Sequence, residues 1–250
     1  MAKTSWSPVA SWYDKTVGKD GHYYHRHVIF PGLETLFTPR IGESVLDVGC
    51  GQGVYARVLP PGVRYTGIDN SSTLLKLARQ LDKNAGHRYI LADATRTLPT
   101  SPASFDHVIC ILALQNMADA AAAIKNMGEA VKPGGDLILV LNHPAFRIPR
   151  QSGWGLDEGS KVEYRRENMY LSALKIPIVA HPGEKNSPVT WSYHHPLSHY
   201  VGALKAAGCA VTDLAEWVSD KQSVGVAGKR ENKSRGEFPL FLAIRAVKYI

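Results

Sequence analysis

Ser44-Val45-Leu46-Asp47-Val48-Gly49-Cys50-Gly51-Gln52-Gly53 is the stretch that decides the fold. Its apolar start predicts a buried parallel strand, which leads directly into three glycines at alternate positions. Residues 54–59 then predict a helix. A strand, a glycine-rich turn and a helix are typical of a nucleotide-binding element, because glycine allows a tight turn and lets a ligand lie against bare peptide groups.

Strands and helices alternate after this stretch. Leucines at a period near 3.6 residues predict a helix that follows the polar cap at 70–72, and the alanine-rich residues 117–131 predict another. Repeated β-α alternation predicts an α/β fold with a parallel sheet and helices on both of its faces. Apolar runs place the further strands at residues 63–69, 88–93, 105–112 and 136–141.

The alternation stops after the fifth strand. Residues 143–195 are rich in Pro, Gly, Arg, Trp and Tyr and show few clean periodicities, which favours a functional insertion. Residues 209–217 and 238–247 predict two last strands. The polar residues 219–237 between them predict a loop without a helix, and therefore an antiparallel pair at the sheet edge.

Three acidic residues lie near the ends of predicted strands, where doubly wound sheets bind their ligands. Asp69 ends the second strand about 20 residues after the glycine turn, a position suited to ribose hydroxyls or to a helix cap. Asp93 ends the third strand and is predicted to accept an adenine amino proton or to cap a turn. Asp47, within the first strand, is predicted to order the glycine loop or to reach a ligand amine through water.

The spacing of the glycines distinguishes two families of nucleotide sites. Dinucleotide enzymes use G-x-G-x-x-G, whereas this chain has G-x-G-x-G and an acid within the preceding strand. Residues 45–53 resemble the first motif of class I S-adenosylmethionine-dependent methyltransferases. The later motifs of that family are matched in order by residues 67–71, 92–94, 105–109 and 131–135. The resemblance covers residues 44–141 and is closest to the small-molecule "type 11" group that includes ubiquinone and menaquinone methyltransferases.

This resemblance implies a Rossmann-like, doubly wound, mostly parallel seven-stranded sheet. It further implies an antiparallel C-terminal edge strand, N-terminal lid helices and an insertion after the fifth strand. The implied cofactor is S-adenosyl-L-methionine, with S-adenosyl-L-homocysteine as product. The turn would hold the amino-acid part, Asp69 the ribose, and Asp93, Ala94 and Asn70 the adenine side. The predicted cofactor residues are Asp47, Gly49, Cys50, Gly51, Gly53, Asp69, Asn70, Asp93, Ala94, Leu112 and Gln115, together with Tyr13 and Tyr24 from the lid.

Two segments are candidates for the catalytic and substrate side. The first is the lid segment around His22 and His25, where a histidine is a candidate base and an aromatic face is suited to cover a sulfonium; an ordinary amphipathic helix is the alternative. No metal site is predicted there. The second follows the fifth strand, where His143 is the first candidate for a base, or else a strand cap. Arg147 and Arg150 are predicted to bind an anionic substrate. Apolar walls of the substrate site are predicted from Trp154, Tyr170 and Tyr193.

Composition bounds the remaining alternatives. The 250 residues carry 29 Lys and Arg against 22 Asp and Glu, a net charge of +7, yet the basic residues are scattered and the densest patch, 229–235, contains an acid. A nucleic-acid partner is therefore less favoured than a small molecule. No apolar run is long enough to span a membrane, and no secretory signal is evident at the N-terminus. Three cysteines, an odd number, favour a reduced cytoplasmic compartment, and the chain is expected to be a monomer or homodimer.

The prediction from sequence is thus a single methyltransferase domain of four parts. These are a helical lid at 1–43, a cofactor-binding core at 44–142, a substrate-side insertion at 143–195, and a helix and strand pair at 196–250. The predicted activity is methyl transfer to a small, anionic or partly aromatic acceptor. The alternatives are an RNA or protein methyltransferase that uses the basic surface, and a non-catalytic cofactor-binding regulator.

Overall fold

The computed structural model describes Trp6 and residues 9–180 and 183–249. Seven strands form the main sheet: β1 (Ser44–Val48), β2 (Arg64–Asp69), β3 (Arg88–Leu91), β4 (Phe105–Ile111), β5 (Val131–Asn142), β10 (Cys209–Trp217) and β11 (Phe241–Lys248). Their order is β10-β11-β5-β4-β1-β2-β3.

The sheet confirms the doubly wound, mostly parallel architecture. Strands β1 to β5 pair in parallel, whereas β11 is antiparallel to both β5 and β10. Because β10 pairs on its outer side, the antiparallel strand lies one place in from the edge. The strand order reverses between β1 and β4, so a ligand-binding crevice is expected at the carboxyl ends of these two strands.

Six α-helices accompany the sheet within the described residues: α1 (Ala10–Val17), α2 (Phe30–Leu36), α3 (Ser72–Leu81), α4 (Ala120–Ala130), α5 (Leu197–Ala206) and α6 (Gly228–Glu237). A π-helical turn, His25–Ile29, leads into α2, and short 3-10 helices occupy Tyr55–Val58 and Leu114–Asn116. The prediction of a helix at 54–59 is wrong in type, because Pro60 and Pro61 leave room for only one turn.

The prediction of a helix-free loop at 219–237 is wrong, since α6 lies within it. This helix is strongly polar and contains Gly228 and Gly236, so it shows no apolar periodicity that would predict it. It leaves the antiparallel pairing of β10 with β11 intact.

The insertion after β5 contains two antiparallel hairpins. Strand β6 (Ser152–Asp157) pairs with β7 (Val162–Glu167), and β8 (Leu174–Val179) pairs with β9 (Val189–His194). Glycines within β6 and a proline within β8 weaken the strand signal in the sequence.

Apolar side chains on the two faces of the sheet form two core layers. Along β1, Leu46 and Val48 pack into the layer beneath α4 and α5, while Val45 packs into the layer beneath the N-terminal helices. Alternation places the side chain of Asp47 on the same face as Val45. Among the described residues no helix combines the length and apolarity needed to cross a bilayer.

Candidate functional site

The glycine turn after β1 brings backbone unusually close to its neighbours. Gly49, Gly51 and Gly53 have φ angles of +78°, +55° and +68°, a region that side-chain-bearing residues rarely adopt. A Cβ at Gly49 would stand 2.4 Å from the Cβ of Ala113, and one at Gly51 would stand 3.2 Å from the Tyr13 hydroxyl oxygen. The turn therefore needs glycine for its conformation and for its clearance.

Cys50, the second residue of the turn, is fixed by backbone hydrogen bonds to β2. The N–H groups of Gly49 and Cys50 both donate to the carbonyl of Ile68, at 2.7 and 3.0 Å. The Cys50 thiol is buried against Gly67, and burial raises its pKa well above the usual range. Cys50 contributes backbone to the turn, and its side chain faces the sheet.

Asp69 fixes the turn from the end of β2. One carboxylate oxygen accepts the N–H of Gly51 at 2.9 Å, and the other accepts the N–H of Ser71 at 2.8 Å. Burial raises the pKa of Asp69, while these hydrogen bonds oppose the shift. The same residue therefore joins the glycine turn to the start of α3.

Asp47 lies behind the turn. It is 3% exposed and accepts the Tyr65 hydroxyl at 2.8 Å. Burial raises its pKa to about 7, against the effect of the Tyr65 hydrogen bond. The burial of Asp47 therefore makes its ionisation unfavourable, and the residue lies on β1 just before the turn begins.

A cavity of about 490 Å³ opens in front of the turn, at the carboxyl ends of the parallel strands. Its floor is formed by the first two turn glycines and by residues that follow β2, β3 and β4. Its walls come from α1 and the π-helical turn on one side, and from the segment after β5, β8, β9 and the start of β11 on the other.

The N-terminal helices are tied to the turn and to the C-terminal region. The Gln52 side chain donates to the Gly18 carbonyl at 2.7 Å, closing α1 over the turn. On the opposite side, the hydroxyls of Tyr23 and Tyr24 contact Asp220 and Ser219 at 3.0 and 3.2 Å. The N-terminal segment thus connects the glycine turn after β1 with the residues that follow β10.

Comparisons with known proteins identify this arrangement. A family model described as a methyltransferase domain matches residues 46–139. An S-adenosylmethionine-dependent methyltransferase from Mesorhizobium loti shares the fold with a TM-score of 0.70 and 25% identity, over 92% of this chain and 100% of that one. An uncharacterized methyltransferase of Mycobacterium tuberculosis is 34% identical over 193 residues, which cover 74% of this chain and 89% of that protein. The chain belongs to the class I S-adenosylmethionine-dependent methyltransferases.

A further relative of this methyltransferase is a ubiquinone biosynthesis O-methyltransferase of Idiomarina loihiensis. The two are 33% identical over 133 residues, which are 50% of this chain and 53% of that protein. The chain therefore spans about half the length of the ubiquinone relatives that it matches. The family match, which includes the glycine turn, confirms the resemblance seen in the sequence.

The cavity of the methyltransferase fits S-adenosylmethionine. The bare backbone at Gly51 leaves a space beside Tyr13 that a Cβ would narrow. The side-chain oxygen of Gln115 is buried and has no hydrogen-bond partner among the described residues, although its nitrogen donates to the Leu112 carbonyl at 2.9 Å. A polar ligand with hydrogen-bond donors is what such an oxygen requires.

Most of the predicted cofactor residues line this one cavity, and their individual roles stay predictions. Asp93 lies at the rim, where Oδ1 accepts the Thr95 N–H at 3.0 Å. Asp47, Cys50 and Gly53 do not line it and support the turn from behind. The predicted cofactor residues in the lining are Tyr13, Tyr24, Gly49, Gly51, Asp69, Asn70, Asp93, Ala94, Leu112 and Gln115.

The structure does not support His143 as a base. Its side chain is buried outside the cavity lining, with Nε2 2.8 Å from a Glu216 carboxylate oxygen. Its Nδ1 accepts the N–H of Ala145 at 3.2 Å. With both ring nitrogens engaged, His143 ties the end of β5 to β10, which matches the alternative of a strand-end cap.

His22 and His25 do line the cavity. Burial lowers the pKa of both, and that of His25 falls to about 4. Each imidazole accepts a backbone N–H at Nδ1, from Tyr24 at 3.4 Å for His22 and from His22 at 3.1 Å for His25.

Of the predicted substrate residues, the structure brings Arg147 alone into the cavity lining. Arg150 is exposed at the end of a turn, and Trp154 is 48% exposed on β6. Tyr170 and Tyr193 belong to the region of the second hairpin but do not reach the cavity. The second hairpin itself reaches the cavity through Ile178 and Ser192, and Tyr193, the next residue along β9, faces the opposite side of that strand.

Several residues that line the cavity were not predicted from the sequence. Asn142 ends β5 and could have been found by the same argument that found Asp69 and Asp93. Phe241 begins β11, and only an antiparallel strand brings its first residue to this edge of the sheet. Trp12 and Ile178 offer no local signal, since their place depends on how α1 and β8 fold over the site.

Proposed function

We propose that this methyltransferase transfers the methyl group of S-adenosylmethionine to a small acceptor that is anionic and partly aromatic. The observation that carries the proposal is Arg147. This guanidinium lines the same cavity as Gly51 and Asp69 and has no ion-pair partner among the described residues.

The cofactor half of the proposal assigns roles along the strand ends. Gly49 and Gly51 would present bare backbone to the amino-acid part, supported by Gly53 and Cys50 behind them. Asp69 would accept the ribose hydroxyls with lone pairs left over from its two backbone bonds. Asp93, Ala94 and Asn70 would meet the adenine, and Leu112 and Gln115 the methionine part.

When bound, S-adenosylmethionine supplies an electrophilic methyl group on a sulfonium. The chain aligns the acceptor with the methyl group and excludes water from the site. Holding an acceptor in line with the methyl group accounts for roughly 7–11 kcal/mol of the barrier in well-oriented reactions. The aromatic side chains of Tyr13, Tyr24 and Trp12 exclude water above the turn and offer ring faces to a cation.

The acceptor half rests on the surroundings of Arg147. It donates to the Asn142 side chain at 3.0 Å and lies 5.4 Å from the centre of the Phe241 ring. A half-buried guanidinium positioned over an aromatic ring is suited to a planar anion. The apolar wall beside it would receive an aromatic or alkyl body.

The basic surface gives less support to RNA or protein as the acceptor. Two arginines of α6 in the densest basic stretch are paired with acids, Arg230 with Glu163 at 3.0 Å and Arg235 with Glu231 at 3.4 Å. We also propose the division into a lid at 1–43, a cofactor core at 44–142, an insertion at 143–195 and a C-terminal part at 196–250.

The test uses the purified protein with methyl-labelled cofactor and three separate acceptor pools: dialysable metabolites, RNA and protein. Label transferred to the dialysable pool supports the proposal, and an Asp69→Ala control should transfer none. Label in RNA, lost steeply with added salt, would contradict it. No transfer to any pool would favour the non-catalytic regulator instead.

A further inference from the structure

The acceptor side of the cavity presents hydrogen-bond donors. The Arg147 guanidinium uses one N–H on Asn142 and has others free of any carboxylate among the described residues. Lys221 adds positive charge nearby, with Nζ 4.9 Å from the centre of the Tyr24 ring. Tyr24 in turn packs against Phe241, the ring beneath Arg147.

The two lid histidines are donors as well. A neutral imidazole that accepts at Nδ1 carries its proton on Nε2. The backbone bonds to His22 and His25 select this tautomer in both, at 3.4 and 3.1 Å. Burial lowers the pKa of both rings, and the charge of Lys221 lowers that of His22 further, so both are neutral at pH 7. Neither ring then has a free lone pair to remove a proton.

Among the described residues of the lining, the remaining titratable groups offer no base beside Arg147. Burial and the nearby Asp69 raise the pKa of the Tyr13 hydroxyl, which keeps it protonated. Asp69 and Asp93 follow β2 and β3, whereas Arg147 follows β5, with β4 and β1 between them. The Tyr24 hydroxyl is 3.2 Å from the Ser219 hydroxyl.

Resting on the proposed function, we propose that the acceptor's nucleophile is a carboxylate and that the product is its methyl ester. A carboxylate is already ionised at neutral pH and needs no base. One of its oxygens forms the bond to the methyl carbon as the carbon–sulfur bond breaks. The electron pair of that bond stays on sulfur, which gives a neutral thioether, and no proton moves. Arg147 and the Nε2–H groups of His22 and His25 would hold the other oxygen.

The chemistry of the labelled product tests this proposal. The protein is incubated with methyl-labelled cofactor and either the dialysable metabolites or a panel of aromatic and alkyl carboxylic acids, including 4-hydroxybenzoate, which offers both nucleophiles. Alkali hydrolyses a methyl ester to volatile methanol but leaves methyl ethers and methylamines intact. Volatile label after alkali is expected. Alkali-stable label would overturn the ester but leave the proposed function standing, whereas no labelled small molecule would overturn both.

Two further measurements separate donors from bases. With a carboxylic acceptor, kcat/KM should vary less than about threefold between pH 7 and 9; a tenfold rise per pH unit would reveal a required deprotonation. His22→Ala should raise KM for the acceptor, and His22→Gln, whose amide N–H stands near the place of Nε2–H, should restore most of the loss. A base at His22 would instead lose about 10²–10⁴-fold in kcat in both variants.

Discussion

Asp69 accepts the backbone N–H of Gly51 at 2.9 Å, so the acid that ends β2 directly holds the glycine turn that follows β1. Its second oxygen accepts the Ser71 N–H at 2.8 Å, at the start of α3. One half-buried carboxylate therefore fixes both the glycine turn and the start of α3, although Gly51 and Asp69 are 18 residues apart in the sequence. Because charged hydrogen bonds are stronger than neutral ones, this group sets the shape of the cavity floor.

The clearance at Gly51 gives the first prediction. Gly51→Ala places a Cβ 3.2 Å from the Tyr13 hydroxyl at a φ of +55°, while Gly42→Ala has a φ of +87° and open space. Both should lose about 1–2 kcal/mol of unfolding free energy from backbone strain. Affinity for S-adenosylmethionine should fall at least about tenfold in Gly51→Ala alone, about 1.4 kcal/mol. Equal cofactor affinity in the two variants, measured by calorimetry, would contradict the proposal that the cofactor lies against the backbone of Gly51.

Arg147 gives the second prediction. Arg147→Met keeps an unbranched apolar stem and removes the charged guanidinium. It should raise KM for an anionic acceptor by about 10–100-fold, as expected for a lost charged hydrogen-bond pair of about 1.5–3 kcal/mol. The dissociation constant of the cofactor should stay unchanged. Arg150→Met, at an exposed position outside the cavity lining, is the matched control. An equal effect of both variants would point to long-range charge rather than contact.

The buried acid beneath the turn gives the third prediction. The pKa of Asp47 is raised by burial to about 7, so its ionisation costs stability as the pH rises from about 4 through 7. Asp47→Asn can still accept the Tyr65 hydroxyl and carries no charge. It should be more stable than the natural protein by roughly 2–4 kcal/mol at pH 8 and similar to it at pH 4. Urea unfolding at several pH values measures this difference, and a constant difference would refute it.

The fourth prediction concerns the opposite end of the sheet. His107 lies between Asp136 and Glu43, at 2.9 and 3.0 Å. Burial alone would lower its pKa, but these two carboxylates raise it above the usual value near 6.5. A raised histidine pKa contributes stability fully below about pH 6.5 and loses it as the pH passes the folded-state value.

His107→Gln should therefore destabilise the protein by about 1–3 kcal/mol at pH 6 and by less at pH 9. Thermal unfolding across this range measures the difference between the two proteins. A loss that is the same at both pH values would assign the effect to packing against Phe37 rather than to charge.

Local signals made the fold and the cofactor side of the site predictable. The alternation of strands and helices fixes the sheet, and the glycine spacing with Asp69 and Asp93 fixes which strand ends meet. These features depend on short stretches whose geometry follows from residue type, such as the positive φ angles of Gly49 and Gly51. Parallel topology then brings their ends to one edge without further information.

Long-range packing made the substrate side unpredictable. His143 follows a strand end, as expected, but its Nε2 lies 2.8 Å from a carboxylate oxygen of Glu216 on β10. The tautomers of His22 and His25 depend on backbone bonds at residues 22–25, where the chain enters the π-helical turn, and no sequence pattern predicts these bonds. The hairpins decide which residues of the insertion face the cavity: Ser192 on β9 lines it, whereas its neighbour Tyr193 and Trp154 on β6 do not. No clean periodicity in the sequence predicts this difference.

The most direct test of the central claim is the titration of S-adenosylmethionine into the natural protein and into Asp69→Ala by isothermal calorimetry. The natural protein should show saturable binding at one site per chain. The variant, shown to be folded by its melting transition, should bind at least about 100-fold more weakly, because it loses the carboxylate that holds Gly51 and Ser71. Unchanged affinity in the folded variant, or no saturable binding by the natural protein, would contradict the account.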